Sequence, residues 1–251
     1  IHVTLLPYLQ ASGELKTKPT QHSIAELRRV GISADVVLCR SDLPVDDEIR
    51  EKIALFGDLP TEAVVALPTV ETIYEVPLVL EEAGLGELVV NKLRLDGKPA
   101  ELEEWTSLVE RIKAPKERLP IAIVGKYVQL RDAYMSVSES LRHAAWACGT
   151  DIEIVWVSSE ELEKSDAQEL LGGVAGVLVP GGFGYRGVEG KVKAARFARE
   201  HNVPYLGLCL GMQCATIEFA RHALQTNDAN STEFNPNTKN PVIDFMPDQL
   251  D

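Results

Sequence analysis

Short apolar runs alternate with amphipathic stretches in the first hundred residues. The apolar runs, at 3–8, 35–39 and 63–67, predict strands. Apolar residues at helical spacing predict helices at 22–30, 46–56 and 72–83, the last with a proline inside it. Strands that alternate with helices are typical of an α/β domain with a largely parallel sheet.

The same alternation restarts after a change in composition. Residues 96–118 are rich in Lys, Glu and Pro and contain one periodic stretch, at 102–112, which predicts a linker that carries a helix. Beyond it, the pattern predicts strands at 121–125, 151–157, 174–179 and 203–208 and helices at 136–148, 188–200 and 211–223. We therefore expect two doubly wound α/β domains, at 1–95 and 119–251, the second with a flavodoxin-like strand order.

The composition argues against several classes of protein. Of 251 residues, 45% are hydrophobic and 25% are charged, as in ordinary globular chains. No apolar run approaches the roughly 20 residues that span a bilayer. The net charge of −13 is spread along the chain without a basic patch, which argues against a nucleic-acid partner. The 4 cysteines have no CxxC or metal-ligand spacing, so we expect no metal site and a reducing, cytoplasmic setting.

The motif Gly-Leu-Cys-Leu-Gly at 207–211 lies where a predicted strand meets a predicted helix. A nucleophile between two glycines at such a junction is typical of a nucleophile elbow, which exposes its side chain at the carboxyl edge of the sheet. The N-terminus of the helix favours the thiolate of Cys209, and the N–H of Leu210 is placed to bind an oxyanion. A buried structural cysteine is the alternative interpretation, and the one we favour for Cys214.

A glycine-rich loop at 180–187 follows the preceding predicted strand and should lie beside the elbow at the same sheet edge. We expect the N–H of Gly182 to be the second oxyanion donor. Gly182, Gly184 and Gly187 also form a G-x-G-x-x-G pattern. A dinucleotide site would need an acidic residue near 204–208, and none is present there, so a Rossmann dehydrogenase is the weaker interpretation.

A cysteine hydrolase needs a histidine base, and none of the 5 histidines is an evident one. His222 and His201 should each lie roughly 20 Å from Cys209, along the predicted helix and strand. Two others belong to the first half, and His143 is interpreted as a surface or interface residue. The base is therefore expected beyond residue 251, unless the activity is lost.

Two lysines, Lys16 and Lys18, lie in a predicted loop at 16–21 that precedes a helix. Ammonium groups beside a helix N-terminus suit a polyphosphate, although a solvated loop is the plainer interpretation. The chain contains no G-x-x-x-x-G-K-[ST] phosphate loop.

Several segments together resemble the CTP synthase family. They are 12–23, 39–42, 124–127, 180–190, 205–213 and 230–234, and they follow in order through both predicted domains. The glycine-rich loop and the cysteine elbow alone resemble class I glutamine amidotransferases in general. The resemblance implies an ATP-dependent ligase that phosphorylates UTP and replaces the phosphate with ammonia from glutamine, giving CTP.

The resemblance also implies roles for individual residues. Cys209 attacks the glutamine amide, and the N–H groups of Gly182 and Leu210 bind the oxyanion. The other implied roles are glutamine binding by Gly182, Gln213 and Glu233, UTP and CTP binding by Lys16, Lys18, Gln21 and Lys52 at a tetramer interface, and ATP binding near Arg40 and Val70. The loop through Arg186 resembles a lid linked to activation by GTP.

The resemblance further implies a cytoplasmic homotetramer of pyrimidine biosynthesis that uses ATP, Mg²⁺ and GTP. Its first domain would be a P-loop-NTPase-like amidoligase fold. The family's phosphate loop and Mg²⁺ carboxylates would precede residue 1, and the triad His and Glu would follow residue 251. We therefore expect both domains to be truncated and the segment alone to be inactive. Two other functions stay open: another class I glutamine amidotransferase, and a catalytically dead regulatory protein.

Overall fold

The computed structural model describes residues 1–246, which form two compact units. The first is Ile1–Ala114, and the second begins at Pro115. Each unit has a parallel sheet of its own with packed helices, which confirms the α/β class predicted from the alternating pattern. No helix within residues 1–246 is both long enough and apolar enough to cross a membrane.

The first unit alternates strands and helices as its sequence pattern predicts. Its strands are β1 (His2–Leu5), β2 (Tyr8–Leu9), β3 (Glu14–Leu15), β4 (Val37–Ser41) and β5 (Val64–Pro68). Its helices are α1 (Lys18–Arg29), α2 (Asp47–Gly57), α3 (Val76–Glu82), α4 (Leu85–Leu93) and α5 (Glu103–Lys113). The strands β1, β4 and β5 form a parallel sheet in that order, and β2 and β3 form an antiparallel hairpin.

Residues along β4 point alternately to the two faces of this sheet, as the pleat of a strand requires. Val37 and Cys39 pack on one face with Ile53 of α2. Leu38 packs on the other face with Leu85 of α4. Helices therefore cover both faces, which is the doubly wound arrangement that was predicted.

Two boundaries in the first unit differ from the sequence prediction. α1 begins at Lys18 rather than at residue 22, because Pro19 occupies the first turn, where its fixed φ favours a helix start. The predicted lysine loop is therefore partly helical. The predicted helix at 72–83 is a 3-10 turn, Ile73–Glu75, followed by α3, which Pro77 starts rather than breaks. The sequence analysis predicted neither α4 nor the β2–β3 hairpin.

The helix predicted in the charged segment is confirmed as α5. It packs on its own unit: the indole N–H of Trp105 donates to the carbonyl of Tyr74 at 2.7 Å, and Lys113 pairs with Glu75 at 2.9 Å. These contacts make α5 part of the first unit rather than a free connector. The domain limits at 95 and 119 stay predictions.

The second unit contains a longer parallel sheet. Its strands are β6 (Arg118–Gly125), β7 (Asp151–Ser158), β8 (Gly176–Val179), β9 (Tyr205–Gly207), β10 (Ala229–Ser231) and β11 (Asn240–Ile243). Its helices are α6 (Met135–Ala147), α7 (Ser159–Lys164), α8 (Ala167–Leu171), α9 (Val188–Glu200) and α10 (Leu210–Ala223). The main sheet runs β7-β6-β8-β9, all parallel, and β10 pairs with β11.

This strand order is the flavodoxin-like one: the second strand, β7, lies at the edge beside the first, β6, and the later strands β8 and β9 follow on the other side of β6. A core of Val124, Val179, Leu162 and Phe197 lies where α7 and α9 pack on the sheet. The prediction of a doubly wound second half is confirmed. The order places the carboxyl ends of β8 and β9 side by side, where the candidate site lies.

Candidate active site

Cys209 lies between β9 and α10, in the turn that the sequence motif predicts. Its backbone has φ 52° and ψ −109°, in the left-handed half of φ space that a residue with a Cβ rarely adopts. Such conformations cost on the order of 1–3 kcal/mol and persist where the surrounding structure enforces them. The side chain is exposed, and the residue caps the N-terminus of α10. This is the geometry of a nucleophile elbow.

The two glycines of the motif explain how the turn is enforced. A Cβ on Gly207 would lie 2.4 Å from the backbone of Gly211 and of Met212. A Cβ on Gly211 would lie 2.0 Å from the carbonyl oxygen of Val179 in β8. Both contacts are with backbone, which cannot move aside as a flexible side chain would. The close packing of strand, turn and helix therefore requires glycine at both positions.

The glycine-rich loop after β8 lies against the cysteine. A Cβ built on Gly181 would be 3.4 Å from the Cβ of Cys209 and 4.0 Å from its Sγ. Outside the regular helices and strands of residues 1–246, no backbone hydrogen bond uses the N–H of Gly182 or of Leu210, and the first residue of a helix has no partner within the helix for its N–H. Two free donors beside an exposed thiol are what an oxyanion hole needs. Their assignment to that role stays a prediction.

Two charged side chains hold the rest of this loop. The ammonium of Lys126, which follows β6, donates to the carbonyls of Phe183 at 2.5 Å and Gly184 at 3.0 Å. Burial, and then the charge of Arg186, lower the pKa of Lys126. Arg186 itself pairs with Glu160 at 3.2 Å. The loop is therefore tied to β6 and α7 while the side chain of Phe183 stays exposed.

The structure brings the predicted glutamine-binding residues to the same end of α10. Gln213 lies in its first turn, and its N–H donates to the carbonyl of Cys209 at 3.2 Å. Glu233 follows β10, and its N–H donates to the Ser231 hydroxyl. The neighbouring Phe234 packs with the core around the start of α10.

The other cysteines differ from Cys209 in exposure or place. Cys214 is fully buried in α10, and burial raises its pKa to about 11, so the structure confirms it as a core residue. Cys39 is buried in β4, where burial raises its pKa as well. Cys148 is exposed after α6, away from any elbow.

The described residues do not bring a histidine to the elbow through the elements that build it. His222 lies in the last turn of α10, and His201 follows the last residue of α9, stacked on Phe197. Both helices begin at the site, so both histidines lie at the far ends. This agrees with the distances expected from the sequence.

In the first unit, all three predicted nucleotide-binding lysines line one cavity of about 670 Å³. They are Lys16, Lys18 and Lys52, and the last comes from α2. Glu14, Asp46 and Glu48 line the same cavity, and the Lys16 ammonium pairs with Glu14. The acidic residues were missed by the sequence analysis, because nothing in the linear pattern connects 46–52 with 14–18. The cavity is therefore of mixed charge rather than purely cationic.

The remaining predicted nucleotide residues are placed differently. Gln21 is not among the residues that line this cavity, and its side-chain amide donates to the Thr17 hydroxyl at 3.0 Å. Arg40 is exposed near the end of β4, and Val70 follows β5. Both therefore lie towards the carboxyl edge of the sheet, where open α/β sheets bind ligands.

Comparisons with known proteins match both units. Residues 1–95 match the family model of the CTP synthase N-terminus, and residues 129–243 match that of class-I glutamine amidotransferases. The CTP synthase of Herpetosiphon aurantiacus is 75% identical over all 251 residues, which cover 100% of this chain and 47% of that protein. This chain belongs to the CTP synthase family.

Other members of the family agree. The CTP synthase of Chloroflexus aurantiacus is 63% identical over 100% of this chain and 46% of its own length. A solved structure, the Trypanosoma brucei CTPS glutaminase domain with bound acivicin, is 44% identical with a TM-score of 0.50, covering 53% of this chain and 52% of that one. The chain spans about half the length of the curated relatives it matches.

One residue at the site was missed by the sequence analysis. Lys191 lies in the first turn of α9 and is completely buried. Its signal in the sequence is its helical spacing: it shares a face with Val188, Ala194 and Ala195, which are all buried. A lysine on the apolar face of a helix needs a reason, and the pattern alone did not give one.

Proposed function

We propose that this segment works within a glutamine-hydrolysing CTP synthase, a ligase of pyrimidine biosynthesis that aminates UTP with ammonia released from glutamine. The observation that carries the proposal is the strained backbone of Cys209, held by glycines at a strand–helix junction beside a glycine-rich loop. Membership of the CTP synthase family supports UTP as the acceptor of the ammonia, rather than the acceptor of another class I amidotransferase.

In the glutaminase reaction, the Cys209 thiolate attacks the amide carbon of glutamine, and a C–S bond forms as the carbonyl oxygen becomes an oxyanion. The N–H groups of Gly182 and Leu210 donate hydrogen bonds to that oxyanion and stabilise it. Gln213 and Glu233 hold the rest of the substrate. Collapse of the intermediate breaks the C–N bond, and the nitrogen leaves as ammonia once it has taken up a proton. Water then hydrolyses the thioester to glutamate.

The acid and base for these proton transfers belong, in this proposal, to another part of the full-length protein. His201 follows α9 and His222 lies in the last turn of α10, so both are at the far ends of these helices and do not serve Cys209. The segment taken alone is therefore expected to hydrolyse no glutamine, and a regulatory protein without catalysis is the alternative that a test must separate.

In the first unit, we propose that the cavity of Lys16, Lys18 and Lys52 receives the phosphates of UTP and of the product CTP, with Gln21 nearby. Three ammonium groups on one cavity favour a polyphosphate. ATP is placed near Arg40 and Val70. The described residues contain no cluster of His, Cys, Asp or Glu that could hold a metal, so no Mg²⁺ ligand is assigned to them. Activation by GTP, a homotetramer and a cytoplasmic location are parts of the same proposal.

The test compares nitrogen donors in the full-length protein. We expect CTP formation from UTP and ATP with either glutamine or ammonia. Cys209→Ala should lower the glutamine-dependent rate by about 1000-fold or more and leave the ammonia-dependent rate unchanged. Cys148→Ala, at the other exposed cysteine, is the control and should change neither rate. If Cys209→Ala keeps both rates, Cys209 is not the nucleophile. If the unaltered protein shows neither rate, the regulatory alternative is favoured.

A further inference from the structure

Lys191 is the largest completely buried side chain of the described residues, and it ends in an ionisable amine. Its ammonium donates to the carbonyl of Pro180 at 3.2 Å. A Cβ built on Gly182 would lie 3.5 Å from the same nitrogen. The ammonium therefore lies against Pro180 and against Gly182, the residue predicted to donate to the oxyanion.

The surroundings of this ammonium are unfavourable in three ways. It is completely buried, which disfavours a charge strongly. It lies in the first turn of α9, at the positive end of the helix dipole. Lys126, which holds the other part of the same loop, is close enough to repel it. Burial and this repulsion lower the pKa of Lys191.

A buried ammonium normally has a carboxylate partner, and among residues 1–246 no Asp or Glu forms an ion pair with Lys191. The groups that would favour its charge are Cys214 and Cys209, and only in their thiolate forms. Cys214 is itself buried, and its pKa of about 11 keeps it protonated near neutral pH. Gly181 lies against Cys209 and Gly182 lies against the Lys191 nitrogen, so the negative charge that forms at Cys209 is the one next to Lys191.

We propose that Lys191 is a positioning residue of the glutaminase site, which fixes the Pro180–Gly182 backbone and supplies the buried positive charge that stabilises the anionic states at Cys209. Those states are the thiolate before attack and the oxyanion after it. The role in turnover rests on the proposed function, whereas the effect on the thiolate does not require glutamine.

The test measures alkylation of Cys209 by iodoacetamide as a function of pH, in the full-length protein, by mass spectrometry of the Cys209 peptide. In Lys191→Met, we expect the alkylation profile of Cys209 to move to higher pH, because an opposite charge nearby is lost. Cys148 in the same sample is an internal reference and should not move. Lys193→Met is the matched control, because its ammonium donates to Ser165 on the outer side of α9 and should leave the profile unchanged.

A purely structural role makes the opposite predictions. Replacement of an unpaired buried charge by Met should leave the melting temperature unchanged or raise it. If Lys191 served only to pack the fold, Lys191→Met should instead lower the melting temperature. Lys191→Arg, which keeps the charge, should keep the wild-type alkylation profile. With glutamine as substrate, we expect kcat of Lys191→Met to fall about tenfold with little change in KM.

The proposal is overturned if Lys191→Met leaves the Cys209 profile unmoved, if Lys191→Arg moves it as far as Lys191→Met does, or if Lys191→Met does not fold. If Lys191→Met shifts the Cys209 alkylation profile but the wild-type full-length protein hydrolyses no glutamine, the role of Lys191 is supported and the proposed function is contradicted. The two failures are therefore distinguishable.

Discussion

The two candidate sites of this chain are built from different materials. The Cys209 site of the second unit is a backbone structure: a strained cysteine, two glycines in contact with backbone, and two N–H groups for which residues 1–246 provide no backbone acceptor. The lysine cavity of the first unit is a side-chain structure. Its three lysines and three acidic residues come from the end of the β2–β3 hairpin, the start of α1, and α2 with its cap residue. The first kind of site tolerates almost no change in shape, whereas the second responds by degrees to each change in charge.

The rigidity of the Cys209 elbow is tested most directly at Gly207. Gly207→Ala places a methyl group 2.4 Å from the backbone of Gly211, so the elbow must shift. We expect glutamine-dependent CTP formation to fall about 100-fold and the free energy of unfolding to fall by about 2 kcal/mol. Enzyme assays and denaturant unfolding of the full-length protein measure the two effects.

Gly182→Ala is the steric control for that variant. A Cβ at Gly182 meets nothing closer than 3.5 Å, so we expect its unfolding free energy to match that of the wild type. Equal stability of Gly207→Ala and the wild type would contradict the claim that backbone contacts enforce the elbow.

The lysine cavity should respond more gently. Lys52→Met removes one of three ammonium groups, and we expect the KM for UTP to rise about tenfold, the effect of one charge-assisted hydrogen bond. The ammonia-dependent kcat should change little. Lys98→Met, in the exposed segment after α4, is the matched control. An equal effect of both variants would show that the cavity does not bind the nucleotide.

The smallest effect is expected at Asp46, which has two roles. Its carboxylate caps α2 by accepting the N–H of Ile49 at 2.8 Å, and it also lines the lysine cavity. Asp46→Ala should cost about 1 kcal/mol of unfolding free energy through the lost cap. It should also lower the KM for UTP slightly, because a negative charge leaves the cavity.

Asp166→Ala separates these two effects. Asp166 caps α8 in the same way, by accepting the N–H of Gln168 at 3.1 Å, but it belongs to the second unit. A similar loss of stability with an unchanged KM is expected there. A KM that rises in Asp46→Ala would show that the acidic residues help to bind the nucleotide rather than oppose it.

The same contrast explains what the sequence could predict. The elbow was found because its glycines are adjacent to Cys209 and their spacing reports a backbone shape directly. The strand order followed from the alternation of elements. The sequence pattern predicted only the part of the cavity around Lys16. Lys52 lies far from it in sequence, and only the family resemblance placed the two together.

Other differences have local causes. The start of α1 was predicted late, because Pro19 is as typical of a turn as of a first helical turn. Lys191 was missed because a charged residue in a helix is normally solvated, and only the structure reveals that its ammonium lies under the glycine-rich loop. Such a residue can be recognised in sequence only by its position on an apolar face.

The most direct test of the account is the site of labelling by a chloroketone analogue of glutamine in the full-length protein. The chain has two exposed cysteines, Cys209 and Cys148, and two buried ones. If the elbow and its oxyanion donors create the reactivity, peptide mass spectrometry should find the label on Cys209 alone, and glutamine should protect it. Equal labelling of Cys148, or labelling that glutamine does not slow, would mean that exposure alone governs the reaction and would contradict the account.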